Sequence, residues 1–378
     1  VEIFHLASFQ EAKINNQILM KSSIVSIGLA NPGKPIDQRV IADFMKVAHE
    51  LDEEEGRKLG FLYKVSGIAT RHSVLKDFSK QNPADFLFFP KDNQRGTFPG
   101  TKARMKVFGE SAPNLGEEAI RSCLEKSGQS AQSITHLILV SCTGMVAPGI
   151  ELELMRRLGM SDEVERYCIH FMGCYAAFTG IRLADKILRA EPEAKVLMIS
   201  IELCTIHFQR EYVEDNILAN SIFADGAAAA LLMKSDQGLS IESYLSQVLR
   251  EGEEDMAWGI GDFGFEMRLS KYIPALLDKG IKKLKDVFEA KFELSGIRHF
   301  AIHPGGKQIL QKVQEAFELD PAVNKHAAEV LRNYGNMSSA SILFVLSQMM
   351  EDSEIKGKIL AMGFGPGLTL ETLYLEKR

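Results

Sequence analysis

Six short, almost wholly apolar runs punctuate the chain: Ser23–Gly28, His136–Val140, Lys195–Ile201, Ala227–Met233, His299–His303 and Lys358–Met362. A strand that is apolar on successive residues needs cover on both faces, which a solvent-backed antiparallel sheet does not give. Between the runs lie helical periodicities, among them Gly116–Lys126, Gly180–Arg189, Lys307–Phe317 and Ala340–Met350. The alternation predicts an α/β protein whose sheets are covered by helices. No low-complexity or proline-rich linker divides the 378 residues. The softest seam is Lys234-Ser235-Asp236-Gln237-Gly238, which suggests a first half over 1–234 and a second over 235–378.

One local arrangement recurs: a strand ends, a reactive or polar residue follows, small residues come next, and a helix begins. Tyr167–Gly173 leads in this way to Cys174, and His299–Ile302 leads to His303. Asn336 precedes Met337-Ser338-Ser339-Ala340 in the same manner. Three such junctions can bring three side chains to one pocket at strand C-terminal ends, where α/β folds place their chemistry.

Each residue also has a plainer reading. Cys174 stands in Phe171-Met172-Gly173-Cys174-Tyr175-Ala176-Ala177. A thiol at a helix start is expected to have its pKa lowered by the unpaired N–H groups, yet most free cysteines are simply buried small hydrophobes. His303 opens His303-Pro304-Gly305-Gly306 and can pair with a thiolate or stabilise an oxyanion. Taken alone it is equally well a core histidine bonded to backbone. Asn336, in Tyr334-Gly335-Asn336-Met337-Ser338-Ser339, sits where a helix N-cap would sit. Beside His303 its amide would instead complete an oxyanion site. Together the three describe acyl transfer to a thiolate followed by carbon–carbon bond formation. A papain-like cysteine hydrolase has the same residue order, but no Cys-Gly-Ser-Cys-Trp context surrounds Cys174.

Net charge is −6, so no global basic field recruits nucleic acid. Five widely spaced cysteines (Cys123, Cys142, Cys168, Cys174, Cys204) without a Cys-x-x-Cys motif argue against a disulfide framework or a zinc site and fit a reducing, cytoplasmic setting. No metal is expected. No apolar run reaches the length of a membrane span, and Val1 to Gln17 do not read as a signal peptide.

Four motifs then stand in a known order: Gly173-Cys174 with its helix, His303-Pro304-Gly305-Gly306, Gly335-Asn336-Met337-Ser338-Ser339, and Gly363-Phe364-Gly365-Pro366-Gly367. From about Ser23 to the C-terminus the chain resembles the chalcone synthase family, the type III polyketide synthases. The resemblance implies a thiolase-like fold, an αβαβα sandwich of two similar halves acting as a homodimer. The first half would carry the nucleophile and the second the histidine and asparagine. It also implies iterative decarboxylative Claisen condensation, with acyl-CoA and malonyl-CoA as substrates and no resident cofactor. Cys174 would hold the starter and the growing chain, while His303 and Asn336 would bind thioester carbonyls and promote malonyl decarboxylation.

Further positions follow from the same resemblance. Phe223 matches the phenylalanine between the CoA tunnel and the cavity. Met267 stands where a second such phenylalanine is expected, Trp258 replaces a cavity glycine, and His207 replaces a cavity threonine. Ala147 occupies the place of a methionine that reaches across the dimer. Cys142, Glu202 and Ser338 match a network that directs aldol closure, with Cys142 in place of threonine. Arg57, Lys58 and Lys64 fall in the stretch that holds CoA phosphates, where Phe61 replaces one arginine; charges on a helix are otherwise a solvated face.

Met256-Ala257-Trp258-Gly259-Ile260-Gly261-Asp262 is most similar to bacterial alkylpyrone and alkylresorcinol synthases. A fatty acyl starter is therefore the expectation, delivered as CoA thioester or by an acyl carrier protein. The alternatives are a condensing enzyme like ketoacyl synthase III that stops after one extension, and a cysteine thioester hydrolase.

Overall fold

The computed structural model describes residues 20–91, 98–250, 253–254, 256–269 and 296–378, with the single positions 280, 285 and 287. The stretch Val1 to Gln17 lies outside the described residues. In chain order the main strands are β1 (Ser22–Ala30), β2 (His136–Ser141), β3 (Glu165–His170), β4 (Val196–Leu203), β5 (Asp225–Lys234) and β6 (Leu239–Val248). They continue with β7 (Met256–Gly261), β8 (Gly264–Leu269), β9 (His299–Ile302), β10 (Gly357–Gly365) and β11 (Thr369–Lys377). The helices are α1 (Gln38–Ala48), α2 (Glu53–Val65), α3 (Thr101–Ser127), α4 (Ile150–Leu158) and α5 (Ala176–Ala190). After them come α6 (Glu214–Ile222), α7 (Lys307–Ala316), α8 (Lys325–Tyr334) and α9 (Ser341–Glu351).

Among the described residues nine strands share one sheet in the order β9-β10-β11-β6-β1-β5-β4-β2-β3. It is two half-sheets joined by a narrow seam, because β1 and β6 pair only at Ser23–Ser240 and Ile24–Leu239. The link 235–238 carries the chain from β5, on one side of β1, to β6 on the other. Strands β2 and β4 are buried along their whole length, as continuous apolar runs require. Helices α3 and α4 pack together on one outer face, while α5 and α9 lie between the half-sheets and touch strands of both. These alternating helix and sheet layers are those of a thiolase-like fold. At the crossing of α3 and β1 the backbones nearly touch: a Cβ on Gly28 would lie 2.2 Å from both the Ala119 oxygen and the Cys123 nitrogen.

All six apolar runs are strands, and the four helical periodicities fall in helices. Helix α3 starts well before the expected Gly116, because Gly109 and Pro113 look like breakers yet lie inside it. The strands β6 and β11 have polar residues interleaved with apolar ones, so no continuous run announced them. All five cysteines are free. No helix among the described residues is long and apolar enough to cross a membrane.

Candidate active site

Cys174, His303 and Asn336 line one internal cavity, together with Phe223, His207, Trp258, Met267, Ser338 and Cys142. Three chain junctions converge on it, each following an element of the core. Cys174 occupies the turn between β3 and α5, His303 follows β9, and Asn336 lies between α8 and α9.

The turn before Cys174 is unusual in its backbone. Phe171 has φ +59° and Gly173 φ +80°, and a Cβ on Gly173 would meet Pro366. This geometry turns the chain sharply from β3 to set the thiol at the cavity wall. The expected lowering of its pKa is not what the site produces. Burial raises the Cys174 thiol to about 11, only partly countered by hydrogen bonds with Ser338 and Asn336. Desolvation of the thiolate outweighs the helix start, since α5 begins only at Ala176 and the sulfur is withdrawn from water.

His303 is 1% exposed, and its backbone N–H donates to the Met362 carbonyl at 2.8 Å. Neither ring nitrogen has a hydrogen-bond partner among the described residues. Burial alone holds its pKa down at about 3, so the ring is neutral. An unpartnered, buried imidazole facing a cavity is costly unless a ligand completes it.

Asn336 has its amide orientation set by the backbone. Its Oδ1 accepts the Ser338 N–H at 2.9 Å, and Nδ2 donates to the Gly305 carbonyl at 3.3 Å. The capping expectation survives only as this local turn, because α9 itself begins at Ser341. Backbone bonds tie Asn336 to the segment carrying Phe223: its N–H donates to the Ile222 carbonyl at 2.8 Å, and Ala224 N–H donates to its oxygen at 2.9 Å. Arg71, which sequence reasoning missed, secures the same segment. It is buried, and its Nη1 donates to the carbonyls of Asn220 and Phe223 at 2.9 and 2.6 Å. Nothing in its sequence context, Thr70-Arg71-His72, marks it.

Behind the nucleophile lies a polar network. Glu202 accepts the Cys142 N–H at 3.0 Å and the Thr143 hydroxyl at 2.8 Å, and it also accepts the Ser339 hydroxyl. Ser339 in turn meets Ser200 at 2.6 Å. The Gly173 N–H donates to Cys142 Sγ at 2.9 Å, linking the network to the residue before Cys174. Burial pushes the Glu202 carboxyl up to about 7. Of the expected trio, Cys142 and Glu202 are joined directly, and the serine hydroxyl on Glu202 is that of Ser339. Ser338, held at φ +46°, turns its side chain to Cys174 instead.

Trp258 and Met267 are direct cross-strand partners in the β7–β8 hairpin, so they present one continuous wall to the cavity. The hairpin is pinned to the loop after β2. Trp258 Nε1 donates to the Cys142 carbonyl at 2.8 Å, and His207 Nε2 donates to the Thr143 carbonyl at 2.7 Å. His207 Nδ1 accepts the Phe265 N–H at 3.0 Å, and the two rings stack with centroids 4.1 Å apart. Both nitrogens being engaged, and burial holding the pKa at about 3, His207 is a neutral strut.

The basic trio lies elsewhere. Arg57, Lys58 and Lys64 are exposed on α2, and none lines the cavity. Arg57 pairs with Glu53 at 3.3 Å and Lys58 with Glu54 at 2.7 Å, the contacts of a solvated helix face.

Family models describing the N-terminal and C-terminal domains of chalcone and stilbene synthases match residues 10–236 and 240–377. The chain is 29% identical over 367 residues to "Probable polyketide synthase 1" of Dictyostelium discoideum. That match takes in 94% of this chain but 11% of that protein, so the chain spans about a tenth of this curated relative's length. Among solved structures, PKS-I from the brown alga Ectocarpus siliculosus superimposes with a TM-score of 0.88 at 28% identity, covering 95% of this chain and 99% of that one. The C-terminal type III polyketide synthase domain of Steely1, a type I/III hybrid from Dictyostelium, gives 0.85 at 27% identity, covering 94% and 99%.

Proposed function

The chain belongs to the chalcone and stilbene synthase family, the type III polyketide synthases, and from that premise we propose that it extends a fatty acyl starter with malonyl units on Cys174. The observation that carries this reading is the meeting of Cys174, neutral His303 and Asn336 in one buried cavity.

In the loading step the Cys174 thiol passes its proton to His303 as sulfur attacks the starter thioester. The tetrahedral intermediate collapses, and CoA leaves as the thiol with that proton. His303 is suited to this because its ring nitrogens are unpartnered. In extension, malonyl-CoA loses carbon dioxide and leaves an enolate. Its oxygen takes hydrogen bonds from the His303 ring and from the Asn336 amide, whose Nδ2 is oriented by the bond from Ser338 N–H to Oδ1. The enolate carbon attacks the acyl group on Cys174 and releases the thiolate, and the cycle repeats after the chain returns to sulfur.

The fatty acyl starter is supported by the cavity wall. Met267 supplies a flexible thioether where an aromatic ring would be stiffer. Gln209, Asn216, Trp258 and Met267 each line both the catalytic cavity and an outer groove, so the wall that a long tail would meet adjoins open space. Closure then gives an alkylpyrone or alkylresorcinol. We place the enzyme in the cytosol as a homodimer, taking its starter from CoA or a carrier protein.

The test is a mass-spectrometric product assay with radiolabelled malonyl-CoA and starters from acetyl- to stearoyl-CoA plus coumaroyl-CoA. Alkylpyrones or alkylresorcinols from long starters support the reading. Products with one added unit would move it to single-step condensation, and free acid without malonyl incorporation would move it to hydrolysis. Cys174→Ala should abolish loading and product. Asn336→Ala should slow malonyl decarboxylation by about 10²-fold, the cost of one oxyanion donor, and slow loading less.

A further inference from the structure

At the N-terminal ends of β2 and β3, away from the cavity, three side chains converge that the proposed reaction does not use. His136 begins β2, Glu165 begins β3, and the two are direct partners in the parallel pair. Glu191 is the C-cap of α5, the helix that starts beside the nucleophile. His136 Nε2 lies 3.8 Å from a Glu165 oxygen and 3.7 Å from a Glu191 oxygen. All three ligand atoms lie within 4.8 Å of one another.

The His136 side chain is 3% exposed, so its ring is nearly removed from water while Nε2 points between two carboxylates. Those separations are too long for an N–H···O hydrogen bond. Thr135 precedes the histidine and holds its ring from the other side. Its hydroxyl donates to the Lys195 carbonyl at 3.2 Å and accepts the Lys195 N–H at 2.9 Å. The same oxygen lies 2.8 Å from His136 Nδ1 and fixes the ring's orientation. Nε2, on the far side of the ring, faces the two carboxylates. One imidazole nitrogen and two carboxylates converging in this way form a donor set of the kind that holds a divalent cation.

We propose that His136, Glu165 and Glu191 form a divalent-cation site of the zinc type, with water completing the coordination. Metal–ligand bonds of about 2.0–2.1 Å in a tetrahedron put neighbouring ligand atoms about 3.4 Å apart. The two carboxylates are 59% and 58% exposed and can draw in to that separation. Outer partners are in place: Thr135 orients the imidazole, and the Tyr167 hydroxyl donates to Glu165 Oε2 at 3.0 Å. None of the three ligands lines the catalytic cavity. The ion would clip the last turn of α5 to two strands, a stabilising role separate from the chemistry.

The experiment uses chelator-stripped protein in a Cys168→Ser background, since Cys168 is exposed on β3 and could bind metal by itself. Equilibrium dialysis against zinc chloride should find one zinc per chain at micromolar free metal, with Tm raised by a few degrees. The Glu165→Gln/Glu191→Gln double variant should bind none in that range and show no rise in Tm. The variant should fold and keep polyketide synthesis unchanged. Equal zinc stoichiometry in both proteins would overturn the site. So would no binding up to millimolar zinc, or a ¹⁵N spectrum of the zinc-loaded protein showing the His136 proton on Nε2.

Discussion

Gly173 and Pro366 touch across the two halves of the molecule: a Cβ on the glycine would lie 2.2 Å from Pro366 Cδ. Gly173 also stands at φ +80°, where a side chain is strained. Left-handed backbone costs an L-residue about 1–2 kcal/mol, and overpacking a rigid contact about 1–3 kcal/mol. Gly173→Ala should therefore lower Tm by several degrees and displace the thiol next to it. Intact-protein mass spectrometry should show slowed acyl loading. Adding Pro366→Ala should recover part of the stability, because it removes the atoms in the way. Wild-type loading by Gly173→Ala would show that this contact does not set the nucleophile.

The thiol and imidazole are both held neutral by burial, at about 11 for Cys174 and about 3 for His303. A raised thiol pKa means that the thiolate fraction at pH 7 is small and grows with each pH step. Alkylation of Cys174 by iodoacetamide in the free enzyme should still climb between pH 7 and pH 9. A plateau reached below pH 7 would show instead that a thiolate–imidazolium pair forms before substrate arrives.

Much of the site was legible because it rests on backbone junctions. Cys174, His303 and Asn336 each follow a core element and precede small residues, and that pattern is visible in one dimension. What partners them was not. Ser338 and Ser339 are adjacent, and the local backbone, with Ser338 at positive φ, sets the Ser339 hydroxyl on Glu202. The Cys174 pKa was expected to fall because a helix start is local, whereas the burial that raises it is contributed by the whole fold. Arg57, Lys58 and Lys64 are exposed on α2, and the pairing of two of them with Glu53 and Glu54 one turn earlier is a contact that sequence spacing alone does not fix. His136, Glu165 and Glu191 carry no shared motif, since only strand pairing and the end of α5 bring them together.

Glu202 makes stability depend on pH in a direction opposite to an ordinary salt-bridged carboxylate. Its folded pKa is about 7, raised by burial from the ordinary carboxyl value of 4.5. The folded state holds its proton more tightly than the unfolded chain does. Its contribution is thus fully present below pH 4.5 and is lost as pH rises through about 7. Asp225, raised to about 6 by burial, adds the same sign at lower pH. Tm should accordingly fall between pH 5 and pH 7.5, and Glu202→Gln should flatten the part above pH 6. A Gln variant with an unchanged slope there would assign the effect to another group.

Met267 and Trp258 form a wall that faces both the catalytic cavity and the outer groove, so chain length should be set there. Met267→Phe replaces a flexible chain with a flat ring beside Trp258. With the hairpin anchored by the Trp258 and His207 bonds to the Cys142–Thr143 loop, the wall cannot retreat to absorb the added bulk. The starter preference should shift by at least tenfold in kcat/KM from stearoyl- toward hexanoyl-CoA. Malonyl decarboxylation should be unaltered, because neither His303 nor Asn336 touches the hairpin's hydrogen bonds. A parallel loss with every starter would instead mean that the substitution disturbs the Cys142 loop and, through the Gly173 N–H, the nucleophile itself.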